Sequence, residues 1–146
     1  MLTTLFHQGE LVEIDRLTGD IKILVDGMDR PHSPRRRSGG WMLSCSGTDS
    51  VVLLDDGFWI DEVVTGNFNW VQDAIELDAG HLLIADANHS RLAMWSTASR
   101  EVVDEIGYDP QWKVYQIDQV PRDWVLSVAQ GDHTAPAPGA PAEAAT

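Results

Sequence analysis

Three kinds of polar side chain have the chemistry that a reaction or a bound ligand would need. His32 could act as a base, a nucleophile or a metal ligand near neutral pH, where an imidazole titrates. Asp73 and the neighbouring Gln72 carry oxygens that suit a hard divalent cation. Arg35, the first of three consecutive arginines, could hold a carboxylate, a phosphate or a sulfate. The sequence therefore leaves a divalent cation open as a cofactor.

Each of these residues also has a structural interpretation. His32, close to Pro31 and Pro34, could bond to the backbone of a turn. Asp73 could accept backbone amides of a neighbouring strand, and the arginines at 35–37 could pair with acidic neighbours on the surface. Local hydrogen bonds are the simplest role for four residues in predicted turns: Asp49, Asp86, Asn88 and His89.

Motifs that would specify one reaction are absent from the sequence. It has no Gly-rich phosphate loop, no His-x-x-x-His spacing and no Gly-x-Ser-x-Gly elbow. The single cysteine, Cys45, lies between two serines in an apolar run, which favours a small buried residue over a nucleophile. Two functional classes stay open: a binding module and an enzyme.

Charge and hydropathy narrow the partners. With 23 acidic and 10 basic residues, the formal net charge is −13, and such a surface repels phosphate backbones. The N-terminus lacks the basic region and long apolar run of a signal peptide, and no stretch approaches the ~20 apolar residues of a membrane helix. We therefore expect a cytoplasmic protein without nucleic-acid or membrane partners.

The elements that must position these residues recur along the chain. The run that begins at Gly40 matches the run that begins at Gly80 at an offset of 40 residues, so that Leu53 aligns with Ala93. A shorter run from Leu11 matches residues 51–55 at the same offset. Short β-branched runs separated by Gly- and Asp-containing turns indicate strands and hairpins rather than pairs of helices. A period of about 40 residues built from short strands is typical of β-propeller blades.

The pattern predicts an all-β fold of about three four-stranded repeats over residues 1–130. Residues 131–146 form an Ala- and Pro-rich tail that is predicted to be disordered. The predicted strands are Leu2–Phe6, Glu10–Asp15 and Asp20–Val25; Ser33–Arg37, Trp41–Ser46, Val51–Leu54 and Trp59–Thr65; Val71–Leu77, His81–Asp86, Arg91–Ser96 and Glu101–Ile106; and Lys113–Gln119 and Asp123–Val128.

Three repeats do not complete a propeller, because such rings close with about 4 to 8 blades. The first repeat is expected to lack its opening strand, and the last predicted strands open a further repeat. We expect two chains to form a six-bladed homodimer in which each seam blade combines strands of both chains. Two alternatives stay open: a piece of a longer protein, and a compact monomeric sandwich.

Two segments carry a family resemblance. Arg30–Arg35 followed by Gly39–Asp55 resembles a blade of six-bladed NHL-type propellers. Trp70–Arg91 resembles both those blades and the blades of arylsulfotransferase-like propellers. The similarity spans about residues 9–128. It implies the architecture rather than the function, because such propellers include binding scaffolds, lactonases, sulfotransferases and strictosidine-synthase-like proteins.

The resemblance implies where the polar residues lie. In these families the Pro-His position opens the innermost strand, near a central channel, and here it is occupied by His32. The equivalent positions of the later repeats carry Gln72 beside Asp73, and then Tyr115 and Gln116. Arg35 could reach the channel mouth because alternate residues of an inner strand point to opposite faces.

Six tryptophans complete the set of candidates. Trp70 and Trp112 precede inner strands, where they could line a pocket or fill the core, and packing between blades is expected of four others: Trp41, Trp59, Trp95 and Trp124. The leading expectation is a binding module that recognises a small ligand or a protein partner at the channel mouth through five residues: Gln72, Arg35, Trp70, Tyr115 and Gln116. The alternative is a hydrolase, lyase or group-transfer enzyme with catalytic His32 and Asp73.

Overall fold

The computed structural model describes residues 1–119, which fold into three antiparallel sheets. The first sheet has the strand order β1-β2-β3, the middle sheet β4-β5-β6-β7 and the third sheet β8-β9-β10-β11. In this range no helix is long and apolar enough to cross a membrane. The strands are β1 (Leu2–Leu5), β2 (Glu10–Ile14), β3 (Ile21–Val25), β4 (Pro31–Arg37), β5 (Gly40–Cys45), β6 (Ser50–Asp55), β7 (Ile60–Thr65), β8 (Val71–Asp78), β9 (His81–Asp86), β10 (Arg91–Ser96) and β11 (Glu101–Gly107).

The all-β prediction and eleven of the predicted strands are confirmed to within two residues at each end. The sheets are consistent with repeated blades, and the first sheet has the three strands expected of it. The predicted strand Lys113–Gln119 is wrong: this segment forms no ladder with a described strand. Its predicted partner, Asp123–Val128, and the tail at 131–146 lie outside the described residues.

Aspartates shape the hairpins between strands. Asp55 Oδ1 accepts hydrogen bonds from the backbone N–H groups of Gly57 at 2.8 Å and Trp59 at 2.9 Å. Asp78 Oδ1 accepts one from Gly80 at 2.7 Å, and this bond, together with His81, lowers the pKa of Asp78. Because these bonds need only residues close in sequence, the turn signals were readable without tertiary information.

The middle sheet is buried on both faces. Side chains of β5 and β6 alternate between two apolar clusters, so that Leu53 faces the third sheet and Leu54 faces the first. A sheet covered on both sides can use apolar residues at every position, which explains the unbroken run Val51–Leu54. The cluster between the middle and third sheets contains Met42, Val51, Leu53, Val64, Phe68, Val71, Ala74, Leu82, Ile84, Ala93 and Trp95.

The repeat is one residue longer than the sequence alignment indicates. β5, β6 and β7 begin at Gly40, Ser50 and Ile60, whereas β9, β10 and β11 begin 41 residues later, at His81, Arg91 and Glu101. Leu53 and Ala93, which align at an offset of 40, therefore enter one cluster from opposite sheets. The structural counterpart of Ala93 is Val52, because a one-residue slip moves every side chain to the other face of a strand.

The tryptophans divide between the sheet interfaces and the surface. Trp95 is buried beside Phe68, and Trp41 stacks on Phe58, with ring centroids 6.2 Å apart. For these two, the predicted packing between sheets is confirmed. For Trp59 it is wrong, because this residue sits in the hairpin before β7 and is 77% exposed. Trp112 is also exposed, and Trp124 lies outside the described residues.

Candidate functional site

Arg35 and Asp73 form an ion pair between the inner strands of the middle and third sheets. Arg35 lies on β4 and Asp73 on β8, and Arg35 Nη2 donates to Asp73 Oδ2 at 2.7 Å. A second bond, from Arg35 Nε to Asp73 Oδ1, measures 3.3 Å. Asp73 is fully buried, whereas the guanidinium keeps some contact with solvent. The paired geometry joins the two strands through a charged fork.

The same pair holds the segment Lys113–Gln119 against β8. The backbone N–H of Ile117 donates to Asp73 Oδ2 at 2.8 Å, and its carbonyl accepts from Arg35 Nη2 at 2.8 Å. Arg35 Nη1 also donates to Asp118 Oδ1 at 2.9 Å. The bond to Asp73 raises the pKa of Arg35, and the bond from Arg35 lowers the pKa of Asp118. One ion pair thus connects three parts of the chain that are far apart in sequence.

These contacts leave Asp73 little capacity for chemistry. Its carboxylate accepts from two nitrogens of Arg35 and from the backbone N–H groups of Ile117 and, at 3.0 Å, Ala74. A carboxylate with four donors has few lone pairs left for a metal or a substrate proton. Among residues 1–119, no group of three or more His, Cys, Asp or Glu side chains is arranged to hold a metal. The geometry is that of the structural interpretation of Asp73.

His32 lies on β4 near the start of the strand. Its Nδ1 is 3.0 Å from the carbonyl oxygen of Arg30, which fits the tautomer that carries the proton on Nδ1 because a carbonyl can only accept. Nε2 is then an acceptor, and it is buried without a hydrogen-bond partner among residues 1–119. The ring centroid lies 6.0 Å from that of Phe6, which follows β1. No described hydrogen bond joins His32 to Asp73.

Trp70 and Gln72 stand at the start of β8, next to the start of β4. The indole Nε1 of Trp70 donates to Gln72 Oε1 at 2.9 Å, and its ring lies under the guanidinium of Arg30, 5.7 Å from the ring centroid. The backbone N–H of Trp70 donates to Asp49 Oδ1. No described hydrogen bond uses the side-chain nitrogen of Gln72. We call Arg30, His32, Trp70 and Gln72 the strand-start cluster.

The remaining predicted ligand-binding residues lie on the segment Lys113–Gln119. Tyr115 is largely exposed, and Gln116 Nε2 donates to Asp118 Oδ2 at 2.8 Å. The structure therefore unites the predicted residues in two groups, Arg35 with Asp73 and Trp70 with Gln72. It places His32 with neither through a hydrogen bond.

A second buried carboxylate was interpreted from sequence only as a turn residue. Asp86, at the end of β9, is fully buried. Its Oδ2 accepts from Arg91 Nε and lies 2.8 Å from His89 Nδ1, and its Oδ1 accepts from the backbone N–H of Asn69. Arg91 continues to Glu105 on β11, which makes the cluster a clasp across the turn between β9 and β10. An arginine five residues after the aspartate was the available signal.

Cys45 is buried in the cluster between the first and middle sheets. Burial raises the pKa of its thiol to about 12. A thiol that stays protonated is a poor nucleophile, so the prediction of a small buried residue is confirmed.

Comparisons with known proteins identify no family. No family model matches the sequence, and no curated protein matches it. Among solved structures, a protein of unknown function from Bacteroides caccae is similar, with 17% sequence identity and a TM-score of 0.46. The match covers 66% of this chain and 38% of that protein, so this chain spans well under half of its length.

Proposed function

We propose that this chain supplies blades of a six-bladed NHL-type propeller. It would act as a binding module that recognises a small ligand or a protein partner at the mouth of the channel. The stacking of β4 beside β8 supports this arrangement, since inner strands of neighbouring blades would surround such a channel. The proposal includes a cytoplasmic protein without nucleic-acid or membrane partners, in keeping with a net charge of −13.

The observation that carries the proposal is the different use of two sets of polar groups. Arg35 and Asp73 bond to each other and to Ile117, so they hold the inner strands together. The strand-start cluster instead keeps Nε2 of His32 and the side-chain nitrogen of Gln72 unused by any described hydrogen bond. An aromatic ring flanked by unused polar groups suits recognition of a ligand by stacking and hydrogen bonding.

A ligand screen with matched variants tests this proposal. Fragments grouped as carboxylates, phosphates, sugars and aromatic amines are screened by thermal shift, and hits are mapped by NMR on the indole N–H signals. Trp70→Ala is expected to weaken binding about tenfold, a loss of about 1.4 kcal/mol. Trp59→Ala is the control, because Trp59 is exposed and lies in a distant hairpin. Hits that depend on Trp59 and not on Trp70 would contradict the proposal.

A second candidate function is a channel-site enzyme built on His32. The observation that favours it is the buried, unpartnered Nε2 in the tautomer able to accept a proton. Such an enzyme would need its other groups from outside the Arg35–Asp73 pair. Turnover of a panel of lactones, esters and sulfate esters should then disappear in His32→Ala. Turnover that survives this change excludes the enzyme as described.

A further inference from the structure

The outer face of the third sheet is apolar at positions that are buried inside the stack of sheets. On β9 and β10 the residues that face the middle sheet alternate with Leu83, Leu92 and Met94, which therefore point away from it. We call these three residues the third outer face, and all three are half-buried. Their counterparts on the middle sheet are fully buried by the third sheet: Met42, Val51 and Leu53.

The first sheet has an outer face of the same kind on the opposite side of the stack. Leu11 of β2 faces the middle sheet, so its neighbours on the other side of the ladder point away. This first outer face consists of Leu5, Val12 and Ile14, of which Val12 is buried and the other two are half-buried. The counterparts of Leu5 and Ile14, 40 residues later, are Cys45 and Leu54, and both are buried.

The chain itself shows what fits these faces. Inside the stack, the face of each sheet that carries Met42-type positions is covered by the facing side of the next sheet. The third outer face repeats those positions, so the surface that matches it is one of the type found on the first sheet. Within one chain the middle sheet separates the two faces. We infer that a second copy of this chain covers them: the first outer face of each copy packs on the third outer face of the other.

The size of the faces agrees with a stable dimer. A face three to four strands wide and about six residues long covers ~300–400 Å², from a strand spacing of ~4.8 Å and a rise of ~3.3 Å per residue. Two faces per copy supply ~600–800 Å², and stable interfaces bury ~800 Å² per partner. Two equal contacts also close under a two-fold axis, so the assembly stops at two copies. This inference rests on the propeller architecture of the proposed function but not on its ligand.

The mass of the full chain in solution is the first test. Light scattering after size exclusion is expected to give about twice the 16.1 kDa of one chain. Because each copy carries a net charge of −13, the dimer should strengthen as salt screens the repulsion. Met94→Lys and Ile14→Lys should each give monomers. Ile60→Lys is the matched control: Ile60 is 57% exposed on β7 of the middle sheet, and its replacement should leave the dimer intact.

Mixing the two variants distinguishes this dimer from one that uses a single face twice. The Met94→Lys chain keeps its first outer face and the Ile14→Lys chain keeps its third, so a mixture regains one of the two contacts and should associate. A dimer made from one face only would survive one of the two substitutions. Far-UV circular dichroism confirms that each variant is folded.

Three results would overturn the inference: a monomeric wild-type chain at tens of micromolar, a dimer that persists in both variants, or variants that fail to associate when mixed. If a lysine variant unfolds, Met94→Ser and Ile14→Ser replace the pair. Loss of ligand binding in an intact dimer would contradict the proposed function alone. A monomer that binds ligand through Trp70 would contradict this inference alone.

Discussion

The ion pair between Arg35 and Asp73 makes a quantitative prediction about stability. Asp73→Asn keeps the shape of the side chain but removes its charge, and it turns one oxygen that accepts from Arg35 or Ile117 into a donor. The guanidinium of Arg35 then faces an amide in place of its buried partner. The matched control is Asp118→Asn, which makes the same change at the other carboxylate bonded to Arg35.

The expected magnitudes differ because the two carboxylates differ in burial. Removing one partner of a buried ion pair costs ~3–5 kcal/mol, and Arg35 keeps Asp118 and some solvent contact, so we expect about 3 kcal/mol for Asp73→Asn. The side chain of Asp118 is 58% exposed, and exposed pairs contribute less than about 1 kcal/mol. The difference between the variants should therefore be about 2 kcal/mol.

Urea unfolding at one fixed protein concentration measures this difference. Trp95 is buried between two sheets, so tryptophan fluorescence should follow the loss of that interface. With a slope of ~2 kcal/mol per molar urea, Asp73→Asn should lower the midpoint by about 1.5 M and Asp118→Asn by less than about 0.5 M. Equal midpoints for the two variants would refute the assignment of Asp73 as the carboxylate that joins the inner strands.

Two further predictions concern the middle sheet. Gly40→Ala should cost about 3 kcal/mol, because a Cβ at this position would collide with the backbone carbonyl of Leu54, whereas Gly39→Ala has open space and should cost only about 1 kcal/mol for its positive φ; thermal unfolding of the two variants compares them, and equal losses would contradict the steric argument. Because the pKa of Cys45 rises from 9.0 to about 12 on folding, the unfolded chain releases this proton first, so wild-type stability should fall above pH 9 by up to ~1.4 kcal/mol per pH unit; urea unfolding from pH 8 to 10.5 should show a shallower slope for Cys45→Ala, and identical slopes would argue against burial of the thiol.

Local signals explain why most strands could be predicted. Neighbouring strands within each sheet are also neighbours in sequence, so short apolar runs and turn residues such as Asp55 and Asp78 contain the information that hairpins need. The offset between repeats was less accessible. Aligning Gly40 with Gly80 matches glycines but not structural positions, since β5 begins at Gly40 and β9 at His81. Side-chain direction depends on register, which composition does not report.

The candidate site was predicted in its members but not in its connections. Residue type and the repeat indicated His32, Arg35, Gln72 and Asp73 as polar residues of inner strands, and all four lie on β4 or β8. That Arg35 bonds to Asp73, 38 residues away, was not readable, because several acidic residues could have served the arginines equally well. The clasp around Asp86 was missed for the same reason.

By itself, the sequence determined the all-β class, the hairpins and the spacing of about 40 residues. These depend on side-chain alternation and turn residues, which act over a few positions. Only the tertiary structure decided which face each side chain occupies and which carboxylate pairs with which arginine. Both depend on how separate sheets stack, and a shift of one residue, too small to change any local preference, reverses the face that a strand presents.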